Sequence, residues 1–87
     1  MLTITQPAYE RLSEMLSDRP EDVAVRIFLD EGRARIRPDR KRSGDKVLKH
    51  DGRTVLLFDK QAARHLDERT LGIRQTENGP RLRLQRV

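Results

Sequence analysis

The 87-residue chain is 34% hydrophobic and 38% charged, with 15 arginines among its 19 cations, no cysteine and a net charge of +5. The absence of cysteine excludes disulfide staples and thiolate metal sites. The longest aliphatic–aromatic run, Val55-Leu56-Leu57-Phe58, is far short of the ~20 residues of a membrane helix.

Leu, Ile, Val and Phe number 22, about 25% of the residues, which lies above the roughly 20% level that marks disorder. One folded domain over residues 1–87 is the expectation. The start Met1-Leu2-Thr3-Ile4 has neither a basic stretch nor an apolar one, so no signal peptide is read there and a cytoplasmic, soluble protein is expected. A domain this small buries only about 60% of the surface its unfolded chain exposes, so its stability is marginal. The charge is unevenly placed: residues 1–32 carry −4, residues 33–42 carry +5 and residues 43–87 carry +4.

Leu2 and Ile4 alternate with threonines, a short strand. A helix follows from Thr5 or Gln6, with Pro7 tolerated in the first turn, where its missing N–H has no partner to lose. Ala8, Leu12, Met15 and Leu16 form its apolar stripe, and Asp18-Arg19-Pro20 ends it. Val23, Val25, Ile27 and Leu29 make a central strand, with Ala24, Arg26 and Phe28 on its mixed face. Asp30-Glu31-Gly32 turns the chain.

A strand over 33–37 then puts Arg33, Arg35 and Arg37 on one face, with Ala34 and Ile36 on the other. Residues 38–44 read as a polar loop. Lys46–Lys49 and Arg53–Phe58 flank an Asp51-Gly52 hairpin turn. Asp59 is suited to cap a helix over Lys60–Leu66, whose buried side is Ala62, Ala63 and Leu66. Two strands close the chain around Glu77-Asn78-Gly79. Leu71 and Ile73 share a face in the first, and Leu82 and Leu84 in the second. Gly72 reads as a bulge or a close backbone contact.

The order of these pieces resembles the HesB/IscA-like family, the A-type iron–sulfur carriers. The matching residues are Asp45, Val47, Asp51, Gly52, Val55, Leu57, Asp59, Ala62, Leu66, Asp67 and Ile73. Leu2–Thr5, then Ala8, Leu12 and Leu16, then Val25–Leu29 extend the likeness through the first third. The resemblance implies an α+β fold: a HesB-like small β-sandwich of short mixed and antiparallel strands with two helices. It also implies three cysteines that hold iron or a cluster. This chain has none: Ala34 falls near the first position, and the sequence stops at Val87, before the segment that carries the other two.

Candidate chemistry is otherwise sparse. Ser13, Ser17 and Ser43 have no nucleophile-elbow setting. His50 and His65 are expected on the surface, and His65 with Asp67 is a weak metal pair. The five glycines form no phosphate-cradling loop. No catalytic, metal or cofactor-binding residue is assigned.

The sharpest remaining feature is the cluster Arg33, Arg35, Arg37, Arg40, Lys41 and Arg42. Arginines two apart on a strand stand about 6–7 Å from one another, close to phosphate spacing along a nucleic-acid strand. The same pattern also serves as a charged edge that deters aggregation and pairs with the acids of residues 1–32, or as a contact for an acidic protein. Single-strand binding normally adds stacking aromatics, and the chain has only Tyr9, Phe28 and Phe58. The sequence therefore reads as a non-enzymatic HesB/IscA-like domain without cluster ligands. It would act through an unknown protein partner, beside iron–sulfur assembly, as a monomer or weak homo-oligomer. The alternative is a weak, sequence-independent nucleic-acid-binding module built on residues 33–42.

Overall fold

Seven strands and two helices make up the computed structural model, which describes residues 2–86, with backbone alone at Arg86. The order is β1 (Thr3–Ile4), α1 (Gln6–Leu16), β2 (Val23–Asp30), β3 (Arg33–Arg40), β4 (Lys46–His50), β5 (Arg53–Phe58), α2 (Lys60–Leu66), β6 (Arg69–Thr76) and β7 (Gly79–Arg86). The strands form two mixed sheets, β1-β6-β7 and β3-β2-β5-β4. β1 runs parallel to β6 and β2 parallel to β5, while the remaining pairs are antiparallel. This is the expected α+β fold, with β2 central and β3 and β7 at sheet edges.

Local chemistry explains the element boundaries. Thr5 caps α1 by accepting the Ala8 N–H at 3.3 Å, and Pro7 lies in the first turn. Asp59 caps α2 by accepting the Ala62 N–H at 2.7 Å. Asp51 and Gly52 take φ of 53° and 80°, the paired positive values of a two-residue hairpin turn. Glu31 and Gly32 do the same at 52° and 79°.

The core gathers Ala8, Leu12 and Leu16 of α1, Val23, Val25 and Ile27 of β2, and Ala62 and Leu66 of α2. α1 packs on β6 and touches β2, β5 and β7, so it closes the space between the two sheets. Each fully buried aliphatic side chain contributes about 1.5–3 kcal/mol. On β5 the pairing with β4 slips by one residue beside Leu48 and Lys49, leaving Val55 as the extra residue of a bulge. The bulge turns Val55 and Leu56 into the same core, while Leu57 is buried on the other face beside Arg26.

Three expectations are corrected. The polar loop read over residues 38–44 starts later, because β3 continues to Arg40. Pro38 fits there because β3 is an edge strand and the missing N–H faces away from the ladder. Gly72 is neither a bulge nor a tight approach: β6 and β7 pair without a slip, and an added Cβ would lie 3.8 Å from Thr5. His50 and His65 are both half-buried, not surface-solvated, and the His50 ring stacks on Tyr9 with centroids 4.6 Å apart. No helix among the described residues is long and apolar enough to cross a membrane.

Candidate functional site

The arginine cluster lies on β3 and the loop after it. The two-residue turn at Glu31-Gly32 fixes the register, with Asp30 opposite Arg33, Phe28 opposite Arg35, Arg26 opposite Arg37 and Ala24 opposite Asp39. Alternation then puts Arg33, Arg35, Arg37 and Asp39 on the outer face of the sheet with Arg26 and Phe28. Ala34, Ile36 and Pro38 point to the other face. The structure thus brings together the three arginines that the sequence placed on one face.

Most of these cations already have partners. Arg35 pairs with Asp30 at 2.9 Å, Arg40 with Asp22 at 2.7 Å and Arg42 with Asp39 at 3.1 Å. The Arg37 guanidinium lies 4.8 Å from the centre of the Phe28 ring. The hydrogen bond from Arg40 holds the Asp22 carboxyl below its ordinary range. Arg33 and Lys41 make no ion pair with the described residues.

Beneath this face is a buried charge cluster that the sequence reading missed. Arg26 is only 5% exposed. Its Nε donates to Asp39 at 2.7 Å, Nη1 to Asp45 at 2.9 Å, and Nη2 to Asp45 at 2.5 Å and to the Arg40 carbonyl at 3.2 Å. Asp45 also accepts the Arg42 N–H at 2.7 Å, so the loop is tied down over β2. The bonds from Arg26 pull the Asp45 carboxyl down to about 2 and raise the guanidinium further above its usual range. The backbone N–H of Arg40, then Arg26, lowers Asp39. One signal was available: Arg26 is the only charge inside the run Val23-Ala24-Val25-Arg26-Ile27-Phe28-Leu29. A charge in such a central strand requires a buried counter-charge.

On the opposite face of β3, Ala34 and Ile36 are not packed into the core. They line a groove of about 350 Å³ whose other walls include Ile27, Leu71, Leu82 and Leu84. Ile36 is 42% exposed, the one large hydrophobic side chain so exposed among the described residues. The groove opens because β3 and β7 are edge strands of different sheets and do not pair. A larger groove, about 570 Å³, is lined by Leu2, Val47, Leu48, Phe58 and Leu66 together with Lys46, Arg64 and Asp67. It borders β4, the opposite edge of the four-stranded sheet from the arginine cluster.

No protein-family model matches the chain, and no curated protein matches it in sequence. Solved structures do. Over 98% of its length the chain superimposes on 84% of Escherichia coli SufA, involved in biosynthesis of iron–sulfur clusters, with a TM-score of 0.76 and 22% identity. Over 99% of its length it superimposes on 85% of IscA with the [2Fe-2S] cluster, with a TM-score of 0.65 and 18% identity. The chain has the SufA and IscA fold. At these identities the likeness is one of fold, and it agrees with the A-type carrier resemblance read from the residues.

The SufA and IscA fold leaves open whether this chain's residues suit a cluster. A cluster needs about four ligands, mostly thiolates, and the chain has no cysteine. Ala34, set by the resemblance against the family's first cysteine, offers only a methyl group to its groove. No three His, Asp or Glu side chains group as metal ligands among the described residues. His50 stacks on Tyr9, while His65 lies on α2 beside the other groove's Arg64 and Leu66. The donor set does not fit a cluster.

Proposed function

We propose that this domain is a non-enzymatic relative of the A-type carriers that has given up cluster binding and acts through protein–protein contacts, linked to iron–sulfur assembly. The observation that carries the reading is the pairing of the SufA and IscA fold over 98% of the chain with the absence of any thiolate. A carrier scaffold without its ligands retains only its surfaces, and in this chain the distinctive ones are β3 and the groove beside it. The aromatic rings also favour this reading over a nucleic-acid strand: Tyr9 is stacked on His50, Phe58 is buried and Phe28 lies under Arg37, so none is left for base stacking.

The test is affinity capture on the tagged 87-residue chain, with and without nuclease. A stoichiometric protein partner that survives nuclease and high salt is the expected result. Retention of nucleic acid alone, lost on nuclease treatment, would replace this reading with the nucleic-acid one. Turnover or a bound chromophore in the captured material would contradict the non-enzymatic, ligand-free assignment.

A further inference from the structure

We propose that the outer edge of β3 docks an extended acidic segment of another protein, whose side chains alternate between carboxylates and aliphatic groups. This rests on the protein-contact reading above and supplies the chemistry of the partner. The argument starts with the backbone. A two-residue turn makes its flanking residues, Asp30 and Arg33, a hydrogen-bonded pair. The bonded pairs then continue as Phe28 with Arg35, Arg26 with Arg37 and Ala24 with Asp39. The residues between them turn their N–H and C=O groups away from β2.

Two details agree with this register. Pro38, which has no N–H, falls on an outward position. Arg40, also outward, satisfies its N–H with the Asp39 carboxylate at 2.8 Å and its carbonyl with Arg26. Ala34 and Ile36 therefore present two N–H and two C=O groups along an edge with no neighbouring strand. That is the template for strand addition, in which backbone bonds give affinity and alternate side chains give specificity.

The side chains decide which strand fits. One face of an added strand meets Arg33, Arg35 and Arg37, all exposed. The other face lies over Ile36 and the apolar groove at Leu82 and Leu84. Arg33 has no ion pair with the described residues, and the Arg35–Asp30 pair is exposed on both sides, so it adds little and exchanges easily. Carboxylates on one face and aliphatic groups on the other satisfy both requirements. A second copy does not fit. Pairing β3 with β3 of another copy sets arginines against arginines, and β7 offers the exposed Arg81 and Arg83. A nucleic-acid strand could meet the arginines, but it has no backbone amides for Ala34 and Ile36 and no aliphatic groups for the groove.

The probe is a fluorescein-labelled, amidated peptide of sequence Glu-Val-Glu-Leu-Glu-Val, titrated against the full chain at low salt. A Lys-Val-Lys-Leu-Lys-Val peptide and a labelled single-stranded oligonucleotide serve as controls. The acidic peptide should bind and slow hydrogen exchange at the Ala34 and Ile36 amides, while the basic peptide should not bind. The triple substitution Arg33→Gln, Arg35→Gln, Arg37→Gln should weaken binding about tenfold, from three exposed charge contacts. Ile36→Pro, which removes an outward N–H without breaking a ladder bond, should abolish it. Ile36→Lys, which keeps that N–H and the fold, should weaken it and covers the case in which the proline variant unfolds.

No peptide binding, protection elsewhere than β3, equal binding of the basic peptide, or oligonucleotide binding without peptide binding would each overturn the proposal. A nuclease-resistant partner still captured by Ile36→Lys at full yield would leave the protein-contact reading standing and remove β3 as its site. No partner with either chain would remove the broader reading.

Discussion

Replacing Arg26 with Met tests whether the buried charge cluster holds the β3–β4 loop. Arg26 is 5% exposed, and all three of its guanidinium nitrogens donate to Asp39, Asp45 or the Arg40 carbonyl. Methionine keeps the stem and removes every one of those bonds. Asp45, its side chain 3% exposed, would then keep only the Arg42 N–H and the nearby Arg42 charge. Removing one partner from a buried pair costs about 3–5 kcal/mol, because the other charge stays buried. A chain of this length has a total stability of about 4–13 kcal/mol, so the loss is a large part of it. The expected fall in Tm is about 15 °C or more at roughly 4–8 °C per kcal/mol. The double variant Arg26→Met, Asp45→Asn should be less destabilised than the sum of its parts by about 1–3 kcal/mol, because both buried charges are gone. Urea unfolding of the four proteins measures the cycle. If Arg26→Met lies within about 0.5 kcal/mol of the parent, as an ordinary surface change would, the cluster does not hold the loop. The pH dependence has a fixed sign. Asp45 titrates at about 2 in the folded chain against 3.8 unfolded, so folding favours its ionised form. Its contribution is fully present above about pH 4 and disappears as pH falls through 2. Asp45→Asn should flatten the stability profile in that window, and an unchanged profile would reject the assignment.

Anaerobic incubation with iron and sulfide should leave the protein colourless after desalting, since no thiolate is present; a stoichiometric visible band would contradict this. If residues 33–42 contact phosphates, oligonucleotide anisotropy should show weak, sequence-indifferent binding with a log–log salt slope of about −3 to −4 for four contacts, reduced by the triple Arg33, Arg35, Arg37 to Gln variant. With no aromatic ring free for base stacking, no binding at low salt is the expected result. Light scattering should show a monomer or weak dimer at micromolar concentration, since the cationic edges β3 and β7 repel their copies. A tetramer that survives dilution would refute that.

Local rules made most of the fold readable. Thr5 and Asp59 announce their helices by capping, and Asp51-Gly52 announces its hairpin by tolerance of positive φ. Alternation in Val23–Leu29 gave a central strand because both faces are covered. What stayed hidden depended on partners far apart in sequence. Pro38 looked like a loop residue until pairing with Val25 placed it on an edge, where its lost donor costs no ladder bond. Nothing local marks Val55 as the extra residue of a bulge; that shows only in the slip against Leu48 and Lys49, which turns it beside Leu56. Ile36 alternated like a core residue, yet it is exposed, because whether an edge strand's inner face is covered depends on the other sheet. For the candidate site, alternation correctly placed three arginines on one face. The reading that the cluster pairs with the acids of residues 1–32 holds for Arg35 with Asp30 and Arg40 with Asp22, but Asp39 as the partner of Arg42 depended on the fold.

Asp45 shows how this fold is held together in a sequence that has no cysteine. In the sequence it is simply the acidic residue that precedes the hairpin in the A-type pattern. In the structure it accepts two bonds from Arg26 and one from the Arg42 N–H, and its own N–H donates to the Arg42 carbonyl at 3.1 Å. Those four bonds turn the chain after β3 and seat the loop over β2 beside the buried Leu57. None of them involves a metal or a thiolate. The acid therefore has a mechanical task that is complete within this chain, and it performs it on the opposite face of β3 from Ala34. The bonds that seat the loop and the unpaired edge at Ala34 and Ile36 thus lie on different faces of β3, which is why the Ile36 edge variants should leave the loop in place.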